Sequence, residues 1–506
     1  MGTWRWVGLV VIAAAGLAAY AWYELTPPPT IDRPLTVSDA RRLLEAQQYA
    51  AALGTAQQIL QRRRDDPQVL MVAAEAATKL QRFDEALQYY GRIPDSAEQA
   101  AVARWAAGEI QFHLGHASAA VREIERSIAL DPDLYYARER IISLYNTLGR
   151  RRETLPHLMY MLQTDRLQVE YLLFIGNLAK ETANFEELQR YLRAQPDDPL
   201  PHLGLGRLAM ERGQHAQARE HLERVVADLP QLVEGHAQLG LLYLKAYPQR
   251  LADWQAHLPT TAQAHPDVWY VRGRWLTPTH PAAAARCFAE AIRLDPNHLP
   301  AHQSLAQVLH QLGENEVAKD AGQRARRLQE LNIALEQIYK ARTYPPLLQQ
   351  AAELTLDLGR LWETRGWCAY AAMLDPSLSW PREVLGRAQA LLPASGPLPH
   401  TLPSHYLVAR GDWAQRLPLP DTSLWNELAT KREGPTAQPS DAAGESPPRF
   451  SDVTDASGIQ FQFDNNTANQ IDGRRIFETT GGGVGVLDYD RDGRPDVFLV
   501  QAGAYP

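Results

Sequence analysis

LPHLGLGRLAMERGQHAQAREHLERVVADLP, residues 200–230, holds two amphipathic helical stretches joined at a glycine and closed by a proline. Gly206 falls where the first helix meets its partner, Gly213 at the turn, and Ala218 where the second helix packs back on the first. Two helices of a hairpin approach closely only where a side chain is small, and Pro230 stops the second helix and starts the next unit. The scheme recurs with Gly108, Gly115, Ala120, Asp131 and Pro132, with Ala306, Gly313 and Ala318, and with Ala352, Gly359, Ala371 and Pro376. Between Asp32 and Pro376 there is almost no strand pattern, and helix-type apolar spacing returns with a period of about 34 residues. The spacing predicts a mainly α fold, an α-solenoid of about nine helix pairs over residues 36–392. Two irregular places stand out. Pro248 and Pro259 interrupt the pattern between Tyr247 and Thr261, and one long helix replaces a regular hairpin between Leu331 and Pro346.

These offsets resemble the tetratricopeptide repeat (TPR), over about two thirds of the chain. The resemblance implies a superhelix whose concave face, lined by the first helix of each pair, takes a protein or peptide partner. Candidate groove residues are Tyr136, Glu139, Ser143 and Asn146, then Leu203, Arg207 and Met210. Trp105, Tyr145 and Tyr243 read as packing residues. His202, His236 and His302 occupy equivalent repeat positions, but each belongs to a different hairpin. They would run along the solenoid rather than converge on a metal.

Before the repeats, WVGLVVIAAAGLAAYAWY, residues 6–23, is uncharged and long enough as a helix to cross a hydrocarbon core. Trp4, Trp6, Trp22 and Tyr23 flank it as interfacial rings, and Arg5 precedes it while Glu24 follows. That bias keeps residues 1–5 cytoplasmic and exports the rest. The expectation is a single-pass membrane anchor, with the bulk periplasmic or at the cell surface. A signal peptide cleaved near Ala19-Tyr20-Ala21 is the alternative. Pro27, Pro28 and Pro29 begin a tether, residues 24–35, and a second proline-rich stretch, residues 393–449, reads as a linker. Within it, HYLVARGDW and SLWNELATK retain order signals that would let a short helix or strand dock on the last repeat.

The last stretch, residues 450–506, changes character. GGGVGVLDYDRDGRPDVFLVQAG places Asp488, Asp490, Asp492 and Asp496 between two strand-like runs. Like charges this close repel unless a cation neutralises them, and hard oxygen ligands suit calcium. An EF-hand loop would want a Glu where Leu499 stands, so the loop joins two strands instead. A solvated acidic turn is the plainer alternative. Together with FSDVTDASGIQFQFDNN from Phe450, this segment resembles the start of an FG-GAP (VCBS) repeat of the ASPIC/UnbV-associated, cartilage-acidic-protein-like family. The resemblance implies a β-propeller-type, all-β module in which Asp488, Asp490, Asp492, the Arg494 carbonyl and Asp496 hold a structural Ca²⁺. One such loop is present, which reads as a chain cut within the first unit.

The net charge of −8 argues against a nucleic-acid partner. Cys287 and Cys368 fit neither a disulfide framework nor a metal cluster and read as small core residues. No nucleophile elbow, P-loop, His-Glu-x-x-His or dinucleotide fingerprint is present. The expected function is non-enzymatic. It is a membrane-anchored, extracytoplasmic scaffold with a protein-binding repeat surface and a calcium-binding β module that meets a protein or a surface glycan. The alternatives are the recruitment region of an enzyme whose catalytic domain lies beyond residue 506, and an intracellular TPR adaptor.

Overall fold

The hairpin expected at residues 200–230 forms as helices Leu200–Glu211 and His215–Asp228 in a computed structural model of the chain. The model describes residues 34–177, 184–392, 398–405, 407, 414–430, 484–487 and 496–499. Gly206 is there because of contact: a Cβ on it would lie 2.7 Å from the Leu222 side chain. Gly108 meets Ile124 in the same way, at 2.5 Å. At the turns Gly213 and Gly115 take φ of 71° and 83°, where glycine has no steric cost. In the first two pairs Gln47 and Gln81 stand at this turn, with φ of 59° and 60°. Each carries a strain of about 1–2 kcal/mol, and their lack of glycine hid those two turns in the sequence.

The chain forms two compact units, Met1–Gly434 and Pro435–Pro506. Among the described residues there are 22 α-helices, from Val37–Glu45 to Thr422–Thr430. In the first unit the helices stack in order from Val37 to Leu148, burying Ala52, Leu70 and Ala103 in one core and Ile124 and Ile141 in a second, with Val102 packed against both.

After Leu148 the order breaks. Helix Leu200–Glu211 packs directly on helix Tyr135–Leu148, so closely that a Cβ on Gly204 would lie 2.7 Å from the Thr147 carbonyl oxygen. Leu188 and Tyr191, on helix Phe185–Ala194, fill the same core as Ile141, Leu144 and Tyr145. The intervening turn Arg151–Thr154 and helices Leu155–Gln163 and Val169–Gly176 leave the stack. Leu158, Met161, Leu172 and Ile175 share a separate core with Leu328, Leu335, Leu348 and Trp367, from the far end of the repeats.

The two irregular places have physical causes. Near Pro248 the second helix of a pair shortens to Leu251–Ala256, and Trp254 covers Gly240 while its Nε1 donates to the His236 carbonyl at 2.8 Å. Helix Asn315–Lys340 runs 26 residues, and its extension carries Leu331, Ala334, Leu335 and Ile338 onto the displaced helices.

The proline-rich stretch after the repeats is not uniform. Residues 398–405 and 414–430 run back along the stack. Trp362 Nε1 donates to the Leu398 carbonyl at 2.9 Å, Arg286 Nη1 to the Ala414 carbonyl at 2.8 Å, and Trp425 stacks on Trp275 with centroids 5.7 Å apart. The element expected in SLWNELATK is helix Thr422–Thr430. It docks beside helix Pro266–Leu276 rather than on the last pair.

In the second unit, β1 (Val484–Leu487) and β2 (Asp496–Leu499) pair antiparallel, with Val484 opposite Leu499 and Leu487 opposite Asp496. The two expected strands are present, while residues 488–495 and the rest of the β module lie outside the described residues. So does the apolar run 6–23. Among the described residues, no helix is long and apolar enough to cross a membrane.

Candidate functional site

The face carried by the first helices divides into an open part and a filled part. On helices Ala100–Leu114 and Tyr135–Leu148 the side chains at the facing positions remain partly accessible. Trp105 meets Tyr136 edge-on with centroids 4.5 Å apart, and both are half-buried. Arg140 grips Glu109 with two bonds of 2.5 and 2.7 Å and lies over the Phe112 ring at 4.2 Å. Ser143 is exposed. Rigid rings with a polar rim suit a protein contact, because they add apolar area at low cost in side-chain entropy.

Of the other groove candidates, Asn146 and Leu203 are buried, and Glu139, Arg207 and Met210 are half-buried and already packed or paired. Glu139 accepts from the Tyr171 hydroxyl at 3.1 Å, and Asn146 is buried. Leu203 is fully buried in the core and Met210 packs against it. Arg207 donates to Glu234 Oε1 at 3.0 Å and to the Gly149 carbonyl at 3.3 Å. These positions close because helix Tyr135–Leu148 and helix Leu200–Glu211 abut directly at Gly149 and Gly204.

Further along, the same face is filled by charge. Glu234 and Asp267 sit in the first turns of helices Val233–Ala246 and Pro266–Leu276, and Asp295 just beyond helix Pro281–Leu294. Arg152 reaches in from a distant turn, its Nε 3.1 Å from Asp267 Oδ2 and its Nη1 2.6 Å from Asp295 Oδ2. His265 Nε2 lies 3.0 Å from Glu234 Oε2, and His298 Nε2 lies 2.8 Å from Asp267 Oδ1. The Nδ1 atoms of these two histidines accept from the backbone N–H of Asp267 and Ala301. Their Nε2–H groups therefore donate to the carboxylates. Burial resists ionisation of Asp267, but Arg152 and His298 outweigh it and hold the carboxyl well below its usual range. The same balance, led by Arg152, holds Asp295 down at about 2. Such a cluster fixes geometry and binds charge, and nothing in it forms a nucleophile with its base.

The recurring histidines have a structural explanation. His236 Nε2 donates to the Pro230 carbonyl at 2.9 Å and His302 Nε2 to the Pro296 carbonyl at 3.0 Å, each six residues back, at the proline closing the preceding pair. Burial pushes His302 down to about 3, so it stays neutral and able to donate. His202 instead meets His221, Nδ1 to Nδ1, at 2.9 Å. Among the described residues no group of three or more His, Cys, Asp or Glu is arranged to hold a metal ion.

Of the proposed calcium ligands, Asp496 opens β2 opposite Leu487, and Asp488 directly follows β1. Asp488, Asp490, Asp492 and Arg494 lie outside the described residues.

Sequence reasoning missed the Arg152 cluster. Its one legible trace is a spacing: Glu234 to His265 and Asp267 to His298 are each 31 residues apart, nearly one repeat. Arg152 gives no such trace, since its partners lie 115 and 143 residues away.

Models of the tetratricopeptide repeat match residues 43–107, 186–233 and 279–333. Among solved structures, the chain is similar to a thermophilic TPR protein of Thermus thermophilus, at 22% identity over 38% of this chain and 100% of that one, with a TM-score of 0.24. It is also similar to a tetratricopeptide repeat protein of Parabacteroides merdae, at 12% identity over 54% of this chain and 97% of that one, with a TM-score of 0.23. No curated protein matches the sequence. With helix pairs, small contact residues and turn glycines in the matched stretches, the chain carries tetratricopeptide repeats at residues 43–107, 186–233 and 279–333.

Proposed function

We propose that this protein is a non-enzymatic scaffold that binds a protein or peptide partner on the open first-helix face around Trp105, Phe112, Tyr136 and Ser143. The observation that carries this reading is the contrast along one face. Aromatic side chains stay half-accessible on helices Ala100–Leu114 and Tyr135–Leu148, while on helix Leu200–Glu211 Leu203 is buried and Arg207 is ion-paired to Glu234. A photo-crosslinking residue at position 143 should give a protein adduct in cells that Trp105→Ala with Tyr136→Ala reduces about tenfold. The same group at the exposed position 373 should not give it. An adduct indifferent to both ring substitutions, or equal at the two positions, rejects this face as the site.

The scaffold is read as membrane-anchored through residues 6–23, with its bulk periplasmic or at the cell surface, and as ending in an FG-GAP-type module that meets a protein or a surface glycan. The apolar run and its flanking charges support the first part. The pairing of Leu487 with Asp496 around four aspartates supports a structural Ca²⁺ held by Asp488, Asp490, Asp492, the Arg494 carbonyl and Asp496. When bound, the ion would neutralise the carboxylates and stiffen the hairpin. Calorimetric titration of the full chain with calcium should give a saturable heat that Asp490→Ala with Asp492→Ala abolishes. No heat at millimolar calcium removes this part of the reading.

A further inference from the structure

In an ordinary solenoid each repeat touches only its neighbours, so a disturbance fades along the stack. Residues Arg151–Gly176 hold the stack at three points, and the second and third depart from that rule. At the near end they hold helix Tyr135–Leu148: the Tyr171 hydroxyl donates to Glu139 at 3.1 Å, and Arg138 lies over the Tyr160 ring at 4.1 Å. In the middle Arg152 pairs with Asp267 and Asp295. At the far end Arg360, itself buried, donates from Nη2 to the Ile175 carbonyl at 3.0 Å.

The far contact is built into both partners. Gly176 lies against the Leu335 side chain, and a Cβ on Gly366 would sit 2.6 Å from Leu172. Glycine on each element lets the other's leucine close in. Ion pairs Arg342–Glu170 and Arg365–Asp165 frame the same junction. Buried Glu363 grips Arg360 with bonds of 2.7 and 2.6 Å and accepts from His400 at 2.9 Å, which fixes the guanidinium toward Ile175.

We propose that Arg151–Gly176 is a strap that couples helix Tyr135–Leu148, and with it the open face, directly to the helix pair Pro345–Leu374, alongside the contact Arg152 makes with the repeats between them. Loosening one end is felt at the other. The strap is a property of the free chain and needs no partner, so it stands or falls separately from the interaction reading.

Native-state hydrogen exchange on the full chain tests it. Arg360→Met with Glu363→Gln removes the bond to Ile175 without leaving a buried charge alone, and Gly366→Val pushes on Leu172 by bulk. Either variant should speed exchange of amides in 155–176 on the order of 100-fold and in 137–148 about tenfold, with 215–246 changed less than about twofold. A rise that spreads through 299–328 and fades before 137–148 would overturn the proposal. So would a uniform acceleration across the chain.

Discussion

Replacing Arg152 by alanine lowers the unfolding free energy by roughly 3–5 kcal/mol. The side chain is a quarter exposed, and Asp267 and Asp295 are 15% and 21% exposed, so the lower part of that range is the expected value. The loss comes less from the missing attraction than from what remains: two carboxylates on packed helix ends with no guanidinium to offset their mutual repulsion. Adding Asp267→Asn and Asp295→Asn to the same chain should therefore recover most of the loss, since amides tolerate the site without charge. Urea unfolding at neutral pH measures both. A cost below about 1 kcal/mol for Arg152→Ala, or no recovery in the triple variant, would mean the cluster is an ordinary surface network.

Acid should unfold the first unit steeply between about pH 4 and pH 2. Burial works against ionisation of Asp267, Asp295, Glu234 and Glu363, yet their partners hold all four below the usual carboxylate range. Arg152 acts on the first two, His265 and Arg207 on Glu234, and Arg360 and His400 on Glu363. Groups that bind protons less readily when folded contribute stability that is complete above their unfolded values, near 4, and is lost as pH falls through the folded ones. Asp295, held at about 2, alone accounts for on the order of 1–2 kcal/mol after allowance for its partial exposure. Thermal melts at pH 6, 4 and 3 should show a small change over the first interval and a large one over the second. Asp295→Asn should be less stable at pH 6 and lose less between 4 and 3. A melting temperature that is flat down to pH 3 would contradict these assignments.

The repeat was legible because its signals are local. Gly206, Gly213, Ala218 and Pro230 each act within one hairpin, and their spacing survives in any chain that builds that hairpin. A long helix was legible near this point, but the sequence placed it between Leu331 and Pro346, whereas it begins at Asn315 as the second helix of a pair and ends at Lys340. What the sequence hid is non-local. Residues 151–176 have helical patterning like any other repeat, and nothing local distinguishes a helix that packs on its neighbour from one that packs on Leu335 and Trp367. Leu203 and Arg207 looked like groove residues by position, but beside the close approach at Gly204 the first is buried and the second ion-paired. The docked helix Thr422–Thr430 was half legible: SLWNELATK announced it, but the reach of Trp425 to Trp275 is a tertiary fact. For the open face, position in the repeat was enough to name Tyr136 and Ser143, and the partly accessible ring of Trp105 was read instead as packing.

The most direct test of the departure from a simple stack is a distance between residues that only the strap brings together. Arg365 pairs with Asp165, 200 residues earlier, while the native Cys287 and Cys368 are buried. With cysteines substituted at Asp165 and Arg365, a short bis-maleimide should join the two positions within one chain under native conditions, with the link lost in urea. Failure of that link, in a chain whose helical content and melting are otherwise unchanged, would contradict the placement of residues 151–176 on the last repeats.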